Sequence, residues 1–568
     1  MDNKKQLMAL ALCGMVGMVQ AGEKEELLKL RNTTTNLIKE LVKQGILTDK
    51  VADEMIRKAE ADADLQAKEQ AKQQTGQQAA KTVDEPEPGE VRVPYVPEFV
   101  KDEIRQQVRA ELREDVVGDV MQQAKTQKWG MPEALPEWIS RFKLSGDLRL
   151  RSQNEFMGSD NAEFYYSDFN AINAAGGVTA AGLDGFLNTT HDRHRFRERL
   201  RLGIDAKIME GLKAGVRLAT GNMPDPVSTN QTLGNTGSQY QVNIDRAYLK
   251  YDAVNDEGFK WLTLAGGRIA NPWYVGGGEF TGGSELVWDT DLSFEGFAAT
   301  ARHRLGGSDS LYEKSDDSHS VYATVGAFPL QEAAMSSHDK WLFGGQVGLD
   351  WGFQNQDALR MGLAYYDYRN IQAKPNRNTP PTCDTNNPGN NLSVPQFMQF
   401  GNSVAIICND NANVFPGQYG LASDYNIINA SASYDIARFA PHHVILSADY
   451  AKNVGFDEAD VLELARIPIS DQTDAWQVRM DVGWPKVDRA GQWNVFAAYK
   501  YVGRDAVLDA YTDSDFHLGG TNAKGWFIGG NYGLMKNVWL TGRWLSADVI
   551  TGPKYGVDIL QFDVNTRF

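Results

Sequence analysis

The chain has 568 residues, a formal net charge of −17 and a pI near 5.0, an acidic balance that argues against general nucleic-acid binding, which needs a basic surface to neutralise phosphate. Mean hydropathy is −0.43, and beyond the N-terminus no run approaches the ~18 apolar residues of a membrane-crossing helix. Hydropathy alone therefore reads as a soluble chain, but it reads the same for a membrane β-barrel, whose alternating apolar and polar residues average to neutral, and the 54 glycines, 13 tryptophans and 21 tyrosines suit tight turns and interfacial aromatic girdles.

Residues 1–21 read as an export signal. Lys4 and Lys5 precede an apolar run from Leu7 to Val19 that is too short to span, and Val19 and Ala21 place the cleavage after Ala21. Cys13 lies inside this run behind Leu12, a poor lipoprotein site, so the signal is expected to be unlipidated. Cys383 and Cys408 then remain, both in one long predicted loop, and a disulfide between them is favoured over two free thiols.

Residues 22–74 are polar, glycine-poor and helical. Leu27, Leu30, Thr34, Leu37 and Leu41 make a short heptad seam, Gly45 interrupts it, and Thr48 caps a second helix through Val51, Met55 and Ile56. A helical hairpin packed on itself and a coiled coil joining protomers are both open readings. Residues 75–98 form a Pro- and Gln-rich linker. Residues 99–141 give a further helix, with Ile104, Val108 and Leu112 on one face, and a Trp/Pro bridge from Trp129 to Trp138.

From residue 142 to residue 568 the pattern changes to period two. About sixteen strands are expected, from 142–152, 195–208 and 212–220 through to 525–534, 538–547 and 557–568, an even number. The connections alternate long and short, with Gly306 to Ser318 the one awkward case on the short side. Long loops on one rim and tight turns on the other are the asymmetry of an outer-membrane barrel.

The stretch from Arg193 to Ile208 shows the two faces. Arg193, Arg195, Arg197, Arg199 and Arg201 fall on one side, Phe196, Leu200, Leu202, Ile204, Ala206 and Ile208 on the other. The same division recurs in Trp476, Val478, Met480, Val482 and Trp484 against Gln477, Arg479 and Asp481, and in Leu560, Phe562, Val564 and Phe568 against Gln561, Asp563, Asn565 and Arg567. Glu198 breaks the outward set and is placed near a membrane interface or in a subunit contact, since a carboxylate at mid-bilayer costs ~2 kcal/mol or more. The fold expected is an all-β transmembrane antiparallel barrel behind an α-helical, coiled-coil periplasmic segment.

These end signals carry a resemblance. The aromatic Phe568 closing an alternating strand resembles the assembly signal of Gram-negative outer-membrane porins. The layout of export signal, helical segment, Trp-Pro bridge and first strand Asp147 to Arg151 is similar to the family known as putative porins, and more loosely to the general and phosphate-selective porins. The resemblance implies a homotrimeric, water-filled channel for passive diffusion of small hydrophilic solutes or ions. It also implies delivery to outer-membrane lipid by the barrel assembly machinery, no cofactor, and a third long loop folded into the lumen. The acidic balance departs from what phosphate selectivity would require.

A channel acts through the size and field of its narrowest point. Arg193, Arg195, Arg197, Arg199 and Arg201, joined by Arg149, Arg151 and Arg246 and by Lys250, are expected to form a basic pore wall. The third long loop, Ala270 to Asp291, offers Glu279, Glu285, Asp289 and Asp291 as the facing acids, on a backbone loosened by Gly276, Gly277, Gly278, Gly282 and Gly283. The alternative for the arginines is pairing with Asp147 and Asp205 as part of the wall, and for the loop a plain external cap. Asp509, Asp513 and Asp515 are expected to form a solvated acidic loop, with a weak Ca²⁺ site the lesser reading. No catalytic or metal motif stands out, since the glycines near Gly276 lack the Lys-Ser/Thr of a phosphate loop. The rival readings are a plugged barrel serving adhesion or receptor binding through its long loops, and an outer-membrane hydrolase.

Overall fold

The computed structural model describes residues 141–568, apart from 222–224, 257, 277–283, 306–318, 335, 378–381, 384–389 and 411–414. The export signal, the coiled-coil segment, the linker, and the helix and Trp/Pro bridge of 99–141 except Arg141 lie outside the described residues. Among the described residues sixteen strands make the barrel wall in chain order, with the two-residue strand Gln231–Thr232 added on the second of them. They are β1 (Phe142–Met157), β2 (Arg193–Met209), β3 (Leu212–Ala219), β4 (Asn243–Val254), β5 (Lys260–Ala270), β6 (Ser293–Arg304), β7 (His319–Gln331), β8 (Lys340–Gly352) and β9 (Ala358–Arg369). They continue with β10 (Asn426–Ile436), β11 (His443–Asn453), β12 (Asp474–Gly483), β13 (Trp493–Val502), β14 (Ala523–Met535), β15 (Val538–Val549) and β16 (Gly556–Arg567).

Each strand pairs antiparallel with the next, and β1 pairs with both β2 and β16, so the sheet closes on itself without an edge. Leu150 stands opposite Glu198 on one side and Val564 on the other. Phe568 completes the seam, its amide donating to Gly146 O at 3.0 Å and its carbonyl accepting from Gly146 N at 2.8 Å. A Cβ on Gly146 would sit 2.4 Å from the Phe568 ring, so only glycine lets that ring lie across the seam.

The six longest connections, 158–192, 220–242, 271–292, 370–425, 454–473 and 503–522, all follow odd-numbered strands and therefore leave one rim, where, with the shorter 332–339 and 550–555 counted, they are the first, second, third, fifth, sixth and seventh of eight loops. The opposite rim carries turns such as 210–211, where Gly211 takes φ +75° and a Cβ would sit 2.6 Å from Asp252 O. Large apolar side chains cover the outside of the wall, among them Phe196, Phe297, Val325, Val347 and Val478. Such a continuous apolar exterior is stable against hydrocarbon and unstable against water. Among the described residues no helix is long and apolar enough to cross a membrane.

The largest apolar core lies inside the barrel, toward the long-loop rim. Trp273, Leu286, Val287 and Trp288 from the third long loop and Val507, Leu508 and Ala510 from the seventh pack on Phe294, Phe328, Leu342, Tyr366 and Tyr368 of the wall. The fifth long loop adds a small hairpin, Val404–Asn409 with Pro416–Leu421, and Cys408 of that hairpin is disulfide-bonded to Cys383.

Candidate functional site

Strand alternation turns Arg149 and Arg151 of β1 and Arg195, Arg197, Arg199 and Arg201 of β2 into the lumen. Register then sets Arg149 opposite Arg199 and Arg151 opposite Arg197. Like charges directly opposite repel, so this face needs counter-groups, and most come from elsewhere in the chain. Asp147, two residues from Arg149, accepts from Arg199 at 3.0 Å and Arg201 at 2.8 Å. Arg195 pairs with Glu155. Arg149 donates to Asn230, and Arg197 to Ser228 at 3.2 Å and Gln153 at 3.3 Å. Arg193 is exposed at the long-loop rim. On β4 a bulge removes Asp245 from the ladder. As a result Asp245 reaches Arg217, while Arg246 points into the lumen and donates to Ser293 Oγ at 3.2 Å.

The third long loop runs inside the barrel. Tyr274 N donates to Gln346 Oε1 at 2.8 Å and Tyr274 O accepts from Gln346 Nε2 at 2.9 Å, a two-point clamp on β8. Its hydroxyl reaches Ser433 of β10. Trp273 and Trp288 meet the Tyr366 ring edge to face, with centroids 5.3 and 4.9 Å away. Of the four acids expected to face the arginines, Asp291 does so, accepting from Arg199 at 3.2 Å and Arg201 at 3.0 Å as well as from Thr229 Oγ1 at 3.0 Å. Burial pushes the Asp291 carboxyl up, but Arg199 and Arg201 outweigh it and hold the group well below the usual carboxylate range.

Glu285 and Asp289 turn away from that wall. Their carboxylates gather with that of Asp513 within 4.8 Å of one another. The Lys500 ammonium lies 3.1 Å from Asp513 and donates to Glu285 O at 3.0 Å, so a cation is already built into the group. Burial and then the Asp513 charge push Glu285 up to about 7, and burial with the neighbouring Glu285 and Asp291 charges pushes Asp289 well above the usual carboxylate range. Glu279 and Gly277, Gly278, Gly282 and Gly283 lie outside the described residues.

The acidic cluster at 509–515 is not solvated, which corrects the sequence-based expectation. Asp509 and Asp513 are buried, and Asp515 accepts from Arg151 at 2.9 Å, from Gln561 at 3.0 Å and from Arg543. Arg151 also holds Asp563 at 2.8 Å with its side chain 1% exposed. The seventh long loop is thus a second inward loop. The one sequence signal for it is the match between an acid-rich loop and the unanswered arginine row.

Beneath the third loop, toward the short-turn rim, the lumen opens into a cavity of about 640 Å³. Arg199, Arg201, Arg217, Arg246, Arg302, Arg360 and Arg567 line it, with Tyr274 and Tyr322 between them and Asp291 as the lining acid.

Among solved structures, the chain is similar to OprB of Pseudomonas putida in its high-pH form, at 11% identity over 76% of this chain and 96% of that one, with a TM-score of 0.41. It is also similar to the outer-membrane channel DcaP of Acinetobacter baumannii, at 10% over 75% and 97% and 0.39. Salmonella typhi OmpF, solved with daunomycin, gives 12% over 75% and 97% and 0.38. No curated protein matches the chain. The family model described as "Putative porin" matches residues 31–568, and the chain therefore belongs to that family, a closed sixteen-stranded barrel of the outer membrane.

Proposed function

We propose that the barrel is a passive channel for small hydrophilic solutes and ions, narrowed where the arginine wall meets Asp291 of the third loop. The observation that carries this reading is the Asp291 contact with Arg199 and Arg201, which fixes an inward loop against a polar wall while the outside remains apolar. Opposed charges at close quarters set up a field across the lumen that favours polar solutes over apolar ones. The homotrimer, the export signal and the periplasmic helical segment belong to the same proposal.

Purified protein in a planar bilayer is expected to give stable ohmic conductance. Neutralising Arg195, Arg197 and Arg199 together is expected to move the reversal potential toward cations, and an unmoved potential removes the basic-wall role. Deleting residues 23–98 tests the segment, since an unchanged assembly size takes away any part in oligomerisation.

A second reading, a plugged barrel that acts through its outer loops, is favoured by the apolar core around Trp288 inside the long-loop rim. Liposome swelling with small sugars separates the two. Swelling supports the open channel, and its absence supports the plug.

A further inference from the structure

We propose that the cavity beneath the third loop is a binding site for small oxyanions carrying two or more negative charges. The inference deepens the channel reading and rests on it for the route by which the solute arrives. Seven arginines line the cavity, Arg199, Arg201, Arg217, Arg246, Arg302, Arg360 and Arg567. Arg567 lies over the Trp539 ring at 5.6 Å, and the carboxylates paired with the other six among the described residues are four: Asp147, Asp291, Asp245 and Asp350. Asp350 is shared, 3.1 Å from Arg302 and 2.7 Å from Arg360. Arg246 has Ser293 Oγ as its polar contact. Two positive charges are left over in a space walled off from lipid.

The arginines are also held in a way that leaves their donors available. Arg302 lies over the Tyr322 ring at 5.4 Å, and Arg360 over Tyr274 at 4.3 Å and Tyr322 at 5.6 Å. A guanidinium stacked through its face keeps its in-plane N–H groups directed outward, and that fork matches the oxygens of a carboxylate or phosphate. Arg199 Nε and Arg217 Nη2 are buried without a hydrogen-bond partner among the described residues, and an incoming oxyanion can accept from such donors. The excess sits on separated strands, β4 on one side and β6 with β9 on the other. A dianion can satisfy both groups at once, whereas a monoanion satisfies one.

The test uses the full chain in a planar bilayer in KCl, with sodium succinate, sodium phosphate or sodium acetate added on the short-turn side. Succinate or phosphate is expected to interrupt the current at a concentration at least about tenfold below that of acetate. Preference for succinate identifies dicarboxylates, and preference for phosphate identifies phosphate compounds. Arg246→Gln, which removes no ion pair among the described residues, and the pair Arg302→Gln with Arg360→Gln are each expected to raise that concentration about tenfold. Equal potency of acetate in the parent protein, or unchanged potency of the dianion in Arg246→Gln, overturns the site. Calorimetric titration of succinate and phosphate into detergent-solubilised protein reads the site without conduction. Heat of binding in a protein that passes no KCl refutes the channel and keeps the site, whereas conduction without dianion discrimination refutes the site and keeps the channel.

Discussion

Two arcs of one inner wall use arginine differently. On β1 and β2, Arg151, Arg195, Arg199 and Arg201 each meet a carboxylate, and two of those carboxylates, Asp291 and Asp515, belong to inward loops. On β6 and β9, Arg302 and Arg360 share Asp350 and rest on tyrosine faces, while Arg246 of β4 has Ser293 Oγ as its polar contact. The first arc ties the third and seventh long loops to the wall, and the second leaves charge facing the lumen. A row of arginines at period two therefore identifies an inner face, while the groups that answer them decide whether they anchor or select.

The sharpest way to break the contrast is Arg151→Ala. It leaves Asp563 and Asp515 buried with less compensation, a change that costs about 3–5 kcal/mol. The thermal midpoint in detergent is expected to fall and trypsin to gain access to residues 503–522, at Arg504 first. If the midpoint and the protease resistance both hold, the seventh loop is fixed by other contacts and the anchoring role of this arc fails.

Asp291→Asn acts on the same arc with a smaller effect. It weakens charge-assisted hydrogen bonds from Arg199 and Arg201, worth roughly 1.5–3 kcal/mol, and removes the negative charge that offsets them in the lumen. Reversal potential is expected to shift toward anions. A shift toward cations would show that the loop, not the charge balance, governs selectivity.

The wall was legible and the loops were not, for a physical reason. Alternation along Arg193 to Ile208, or along Trp476 to Trp484, is imposed by the pleat and by two different solvents, so each strand declares its faces locally. All sixteen strands fall where period two and the turn residues place them. The inward course of the third loop came from family resemblance, and its acids then divided. Asp291 met the arginines, while Glu285 and Asp289 joined Lys500 and Asp513 across a separation of more than two hundred residues. Asp515 reads as solvated in sequence because its partners, Arg151, Arg543 and Gln561, lie on three strands that become neighbours only when β16 closes on β1.

Tyr322→Leu probes the second arc. Losing the aromatic face under Arg302 and Arg360 is expected to cost about 0.5–2 kcal/mol, with little change in the thermal midpoint and a loss of dianion discrimination. A large drop in the midpoint with selectivity kept would reverse the assignment, making these arginines anchors as well.

The smallest effect is set by pH, and it separates the acids of the loops. Glu285, pushed up to about 7 by burial and by Asp513, holds its proton in the folded state at pH values where an unfolded chain has lost it. Its contribution to stability is complete below the ordinary carboxylate range near ~4.3 and is lost as pH rises through about 7. Asp289 shifts in the same direction. Asp291 and Asp515 are held low by arginines despite their burial, so their contribution is lost only on acidification below the ordinary range and is silent between pH 5 and 7.5. The thermal midpoint is therefore expected to decline gently from pH 5 to pH 7.5, and Glu285→Gln to flatten that decline while leaving the acid limb in place. A decline that survives Glu285→Gln unchanged would place the titrating group outside the junction of the third and seventh loops, and a midpoint that rises over that interval would mean that Lys500 and Arg543 outweigh burial at Glu285, making this junction an anchor of the same kind as Asp515.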